Sequence, residues 1–182
     1  KAMPGVDLIA IKPDGSIAKP GEEGELRAKA PQLMLGYLDT SLDKEAFDEN
    51  GYFRTGDLGI IDEDGYVVIS GRLKDVIIRH GENISAKEVE DLLFGHQHIA
   101  DIAVIGLPDS VTGERACAVV STAEDHSPIT LSELRTYLEN AGLRKNAIPE
   151  QLIIIDSIPR NPSGKITKNV LQEQFKEVPF ER

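Results

Sequence analysis

Ser85-Ala86-Lys87-Glu88-Val89-Glu90-Asp91-Leu92-Leu93 is the stretch that decides the fold class. A Ser followed three residues later by a Glu forms a capping box, in which each side chain satisfies a backbone N–H at a helix start. Val89, Leu92 and Leu93 then fall at i, i+3 and i+4, so the helix has one buried face. Just upstream, Val76-Ile77-Ile78 and Asn83-Ile84 flank His80-Gly81-Glu82, the pattern of a small hairpin. Downstream, Ile99 to Leu107 and Arg115 to Ser121 read as strands. Thr130-Leu131-Ser132-Glu133 is a second capping box, with Leu131, Leu134 and Leu138 as its stripe. Gln151 to Ile155 is an apolar strand, and a loop around Lys165 leads into a helix ending near Phe175. The order β–α–β–β–α–β–α predicts a compact α+β domain of two layers.

Before that domain the chain is β-rich. Val6 to Ile11 ends at the turn Pro13-Asp14-Gly15, and Gly24 to Ala30 follows the charged turn Gly21-Glu22-Glu23. Ser41 to Phe47 reads as one short helix with Ser41 at its cap. Asp57 to Ile61 and Tyr66 to Ser70, joined by Asp62-Glu63-Asp64-Gly65, read as a hairpin, because Asp-Gly between apolar runs favours tight strand reversal. The boundary falls near Gly71 to Asp75, giving a β-rich subdomain over 1–72 and the α+β domain over 73–182. No Pro- or Ser-rich linker marks it, which suits a hinge better than a tether.

Composition narrows the function classes. Of 182 residues, 40% are hydrophobic, which excludes global disorder, and the net charge of −11 argues against a nucleic-acid binder, which needs clustered Lys and Arg. Cys117 is the only cysteine, so no intrachain disulfide forms, and its apolar setting from Ala116 to Val120 marks a small buried hydrophobe. Apolar runs stay well short of the about 20 residues that a membrane span needs, and no signal peptide is visible. A reducing cytoplasm fits this composition. His96, His98 and His126 lack metal-ligand partners at useful spacing. The first residues, Lys1-Ala2-Met3-Pro4-Gly5, read like the middle of a longer chain.

Three runs carry the chemistry: Tyr52-Phe53-Arg54-Thr55-Gly56-Asp57, Gly71-Arg72-Leu73-Lys74-Asp75 and Pro159-Arg160-Asn161-Pro162-Ser163-Gly164-Lys165. Asp57 on local sequence is a turn-former. A carboxylate fixed at a strand start can also accept two hydroxyl hydrogen bonds from a ribose diol. Arg72, at the far end of the predicted hairpin, can face the same pocket, and its fork can bridge ribose and phosphate oxygens. Its bland alternative is a surface ion pair. Lys165 sits on a glycine-bearing loop before a helix, where the dipole disfavours a surface cation. An ammonium there can stabilise charge building on a phosphate. Ser163 is a candidate cap for the helix that follows.

In order and spacing these runs resemble the carboxy-terminal third of the adenylate-forming superfamily, which holds acyl-CoA synthetases, luciferases and peptide-synthetase adenylation domains. The resemblance covers essentially the whole chain. It implies that 1–72 closes a large N-terminal adenylation domain and that 73–182 is its mobile C-terminal AMP-binding-enzyme domain. It further implies that Asp57 and Arg72 bind the nucleotide, that Lys74 is the hinge, and that Lys165 is the catalytic lysine of adenylation. Arg79, His80, Gly81 and Glu82 would line the tunnel for the CoA pantetheine arm. Many relatives place an Arg where Asn83 stands, so a phosphate contact is not carried over to Asn83. Asn161 stands where Thr is frequent.

The segment Val76-Ile77-Ile78-Arg79 with Gly81-Glu82-Asn83-Ile84-Ser85 is similar to bacterial fatty-acid or alicyclic-acid CoA ligases. That implies ATP, CoA and Mg²⁺ as the requirements of the full-length enzyme, a fatty or related carboxylic acid as substrate, and the N-terminal domain as partner. No Ser/Thr/Gly-rich phosphate loop ending in Lys-Gly lies in the chain, so the piece alone is expected to be inactive. The competing readings are a ligase loading a carrier protein, and a non-catalytic module that keeps the fold.

Overall fold

The computed structural model describes residues 1–180 and divides the chain into two compact units, Lys1–Lys74 and Asp75 onward.

In the first unit, β1 (Asp7–Ile11), β2 (Glu23–Lys29), β3 (Phe53–Ile61) and β4 (Val67–Arg72) form one antiparallel sheet in chain order. The expected hairpin is present, but its first strand begins at Phe53, so Asp57 stands in mid-strand and is neither at a strand start nor in a turn. The hairpin turn is closed by Gly65 N donating to Asp62 O at 3.0 Å and Tyr66 N donating to Asp62 Oδ1 at 2.8 Å. Between β2 and β3, a 3₁₀ turn over Thr40–Leu42 runs into α1 (Asp43–Ala46). The cap there is Asp39, not Ser41. Asp39 Oδ1 accepts from Ser41 N at 3.0 Å and from Ser41 Oγ at 2.7 Å, and a charged acceptor two residues earlier outcompetes a hydroxyl. Among the described residues of this unit, only Ala10 and Leu26 are buried hydrophobics.

The second unit holds nearly all of the core. Its elements are β5 (Val76–Arg79), β6 (Glu82–Ser85), α2 (Ala86–Leu93), β7 (Ile99–Asp109), β8 (Gly113–Thr122), α3 (Leu131–Asn140), β9 (Gln151–Ile154) and α4 (Lys168–Phe175). The sheet order is β6-β5-β8-β7, with β9 lying parallel to β8. The α+β class is borne out, but helices cover both faces of this sheet, so the domain has three layers where two were expected.

Strand periodicity explains how the sheet is covered. Ile102 and Val104 of β7, with Ala116, Ala118 and Val120 of β8, pack against Val89 and Leu93 of α2 and Leu134 and Leu138 of α3. The alternate residues, Ala103, Ile105, Leu107, Cys117 and Val119, pack against Ile158 and against Leu171 and Phe175 of α4. Helices thus lie on both faces, which is why Ala116 to Val120 is an unbroken buried run. Burial pushes the Cys117 thiol up to about 12, so it stays protonated and unreactive. Both predicted caps are made: Ser85 accepts from Glu88 N, and Thr130 and Glu133 complete a reciprocal box. No helix among the described residues is long and apolar enough to cross a membrane.

Candidate functional site

The first unit pairs two of the predicted residues directly. Asp57 and Arg72 are opposite each other in the β3–β4 register, and Arg72 Nε lies 2.8 Å from Asp57 Oδ1. Two features aim Asp57. Its N–H donates to Thr55 Oγ1 at 3.0 Å, while Thr55 Oγ1 donates to Leu26 O at 2.7 Å. A register shift between Leu58 and Gly59 also kinks the strand beside it, the usual way a sheet redirects a side chain.

The side chains of Asp57 and Arg72 remain 30% and 49% exposed, so the pair contributes only about 0–1 kcal/mol to stability. Among the described residues, Asp57 Oδ2 and the Arg72 Nη groups have no partner, so the pair presents an acceptor and donors outward. The surface ion pair that was the alternative reading of Arg72 exists, and its partner is the other candidate residue.

Lys74 is exposed in a 3₁₀ turn, Leu73–Asp75, and is the last residue of the first unit.

In the second unit, His80 and Gly81 form the two-residue loop between β5 and β6. Both have positive φ, 51° and 78°. A two-residue hairpin of this hand requires that at both positions. A Cβ on Gly81 would meet nothing within 4 Å, so conformation, not close approach within this unit, accounts for the glycine. His80 N donates to Thr112 O at 2.9 Å, which adds a turn role to this residue. His80, Gly81 and Glu82 are exposed. Arg79 is committed elsewhere: Nη2 lies 2.7 Å from Glu150 Oε1 and Nη1 donates to Asn146 O at 2.9 Å.

Lys165 is exposed and, among the described residues, its ammonium has no hydrogen bond or ion pair. Its backbone is held tightly. Asn161 Oδ1 accepts from Ser163 N at 3.0 Å and from Lys165 N at 2.9 Å, and Asn161 N donates to Lys165 O at 2.8 Å. Gly164, at φ 80°, closes the turn. Arg160 Nη1 donates to Gly164 O at 2.8 Å, and its Nη2 lies 2.6 Å from Asp101 Oδ2 on β7. The result is a free cation on a fixed base, the arrangement electrostatic stabilisation needs.

Ser163 does not cap the following helix. That helix starts later, at Lys168, with Thr167 at its cap position, and the Thr167 hydroxyl donates instead to Pro159 O at 3.0 Å. Asn161 and Arg160 are supporting residues that sequence reasoning passed over. The Asn-Pro-Ser-Gly run carried the signal, since Asn side chains accept from backbone two residues on.

Residues 88–165 match the AMP-binding enzyme C-terminal domain. The chain belongs to the adenylate-forming superfamily. Among superfamily members it is 41% identical to the salicyl-AMP ligase / salicyl-S-ArCP synthetase of Mycobacterium tuberculosis, over 94% of this chain and 30% of that protein. It is 39% identical to the medium-chain fatty-acid–CoA ligase of Escherichia coli, over 96% of this chain and 31% of that one. ATP-bound MatB from Rhodopseudomonas palustris superposes with a TM-score of 0.89 at 36% identity, covering 97% of this chain and 35% of the other. The chain therefore spans about 30% of the length of the curated superfamily relatives it matches. Those relatives are AMP-forming ligases of acyl and aryl acids.

Proposed function

We propose that this chain supplies the nucleotide clasp and the mobile catalytic lysine of an ATP-dependent acyl-CoA synthetase acting on a fatty or related carboxylic acid. In the first half-reaction the substrate carboxylate attacks the α-phosphorus of ATP and pyrophosphate leaves, giving acyl-AMP. In the second, the CoA thiol attacks the acyl carbon and AMP leaves, giving acyl-CoA.

Asp57 accepts hydrogen bonds from the ribose hydroxyls through its free oxygen, while Arg72 holds it in place and offers its outer N–H groups to the nucleotide. Lys165 approaches the α-phosphate and offsets the charge that builds on its oxygens as the new bond forms. Lys74 is the hinge that brings residues from Asp75 onward into either half-reaction. The turn at His80 and Gly81 borders the path of the pantetheine arm. The described residues contain no cluster of three or more His, Cys, Asp or Glu able to hold a metal.

The observation that carries this reading is the unpartnered ammonium of Lys165 on a hydrogen-bonded loop. In the full-length protein, Lys165→Ala should lower carboxylate-dependent ATP–pyrophosphate exchange by about 10²–10³-fold, the usual cost of removing one preorganised charge partner. It should leave thioester formation from supplied acyl-AMP nearly intact. Unchanged rates in both half-reactions would leave only the non-catalytic module. A second reading, transfer to a carrier-protein thiol, is favoured by the salicyl-S-ArCP relative at 41% identity. Offering CoA and a phosphopantetheinyl carrier side by side separates the two acceptors.

A further inference from the structure

Lys168 is the first residue of α4, three positions after Lys165. A cation at the positive end of a helix dipole is unfavourable unless something compensates it. Lys168 is also mostly withdrawn from water, with a side chain only 17% exposed. Two carboxylates provide the compensation. Its Nζ lies 2.8 Å from Glu90 Oε1 and 3.8 Å from Asp75 Oδ2.

These partners come from separate parts of the unit. Glu90 belongs to α2, which packs on one face of the sheet, whereas α4 packs on the other. The same Glu90 oxygen accepts the N–H of Val104 at 2.6 Å. Val104 lies on β7, the edge strand, so this bond occupies a backbone donor that faces away from the sheet. The ion pair therefore wraps the open edge of β7 and ties helices from opposite faces together. Gln172, one turn further along α4, donates to Gly106 O on the same edge at 3.4 Å. Asp75, the third member, directly follows Lys74. Burial pushes the Glu90 carboxyl above its ordinary range, and the Lys168 charge opposes that rise.

We propose that Lys168 is a positioning residue for adenylation: through Glu90 and Asp75 it fixes the base of α4, and so the Lys165 loop, to the body that begins at the hinge. This rests on the reading that Lys165 stabilises the adenylation transition state. Lys165 must be free at its tip, so its accuracy of placement has to come from its base. The Asn161 turn fixes the loop's shape, and Lys168 fixes where that loop stands. The pair also ends the hinge sharply, because Asp75 is already tied to the second unit.

The test uses the full-length protein with Lys168→Met, Lys168→Arg, Glu90→Gln and Lys165→Ala. Lys168→Met keeps the stem and removes the charge. It should lower the kcat of ATP–pyrophosphate exchange by about 10- to 100-fold, the scale expected when a reacting group is misplaced by about 1 Å. Conversion of supplied acyl-AMP to thioester should stay within about threefold of wild type, because that step does not use Lys165. Lys168→Arg, which can still reach both carboxylates, should recover most of the exchange rate. Glu90→Gln keeps the acceptor for Val104 N but loses the charge, and should show the same selective loss even if Lys168→Met does not accumulate as folded protein. Parallel loss of both half-reactions would mean that the cluster serves stability alone, and would overturn the proposal. So would normal exchange in Lys168→Met and Glu90→Gln alongside its loss in Lys165→Ala. Normal exchange in Lys165→Ala would instead overturn the reading of Lys165 itself.

Discussion

His96 shows how a side chain without metal partners can still sense pH. Its ring lies 4.7 Å from that of Tyr137 and 5.4 Å from that of His98, which in turn lies 5.1 Å from His126. His96 Nδ1 accepts from His98 N at 3.2 Å, a bond that only an unprotonated Nδ1 can make. Burial, followed by the charge of His98, holds His96 below its ordinary value, while Glu133 pulls weakly the other way. The folded pKa is thus lower than the unfolded value of about 6.5, so below that pH the unfolded chain binds a proton that the folded chain resists. Stability is full above that point and falls as the pH drops toward the folded pKa. The urea midpoint should therefore decrease between about pH 7.5 and pH 5.5, and His96→Asn, whose Oδ1 can still accept from His98 N, should flatten that decrease. Equal slopes for the two proteins would remove His96 from the explanation.

At the scale of elements, the strongest local signals are caps and turns. Thr130 and Glu133 form both halves of their box, so Thr130→Ala should destabilise the protein by about 1 kcal/mol and Thr130→Ser by much less. Equilibrium urea unfolding at constant pH measures both. That helix was legible because its start is set by side chains three residues apart. The β3–β4 and β5–β6 reversals were legible for the same reason, since Asp-Gly and His-Gly state the backbone conformation of a turn within two residues.

What lay beyond reading is long-range. Nothing near Gln151 says that β9 runs parallel to β8, because that direction is set by the crossover through α3 that joins the two strands. Nothing near Lys168 points to Glu90, which it meets only around the edge of β7. Nearer misses were local: Asp39 displaced Ser41 as a cap, and the last helix has its cap position four residues beyond the expected Ser163, at Thr167, whose hydroxyl donates to Pro159 O and makes no cap bond. The Asp57–Arg72 pair was half legible, since the hairpin brings both strands together but only the exact register sets the residues opposite each other.

Across the whole molecule, burial is divided very unequally. From Asp75 onward two clusters cover both faces of a sheet, and the side chains of Ile77, Ile84, Leu93, Leu134, Leu138 and Leu171 are almost wholly out of water. Among the described hydrophobic residues of the unit before it, only Ala10 and Leu26 are buried, while Leu35, Leu38, Val68 and Ile69 are exposed. Apolar burial is the main favourable term against chain entropy, so a sheet without a covered face does not hold itself together. Residues 75–182 expressed alone should therefore unfold cooperatively, with a stability of about 5–15 kcal/mol, typical of a single domain. Residues 1–74 alone should show no cooperative thermal transition. Calorimetry of the two pieces tests this directly. A sharp transition in the shorter piece would mean that its sheet needs no further cover. Loss of the transition in the longer piece would mean that the boundary at Lys74 does not separate independent folding units. If the longer piece alone is cooperative, the residue that carries the free ammonium travels on a body rigid enough to present it, as the proposed movement about Lys74 requires.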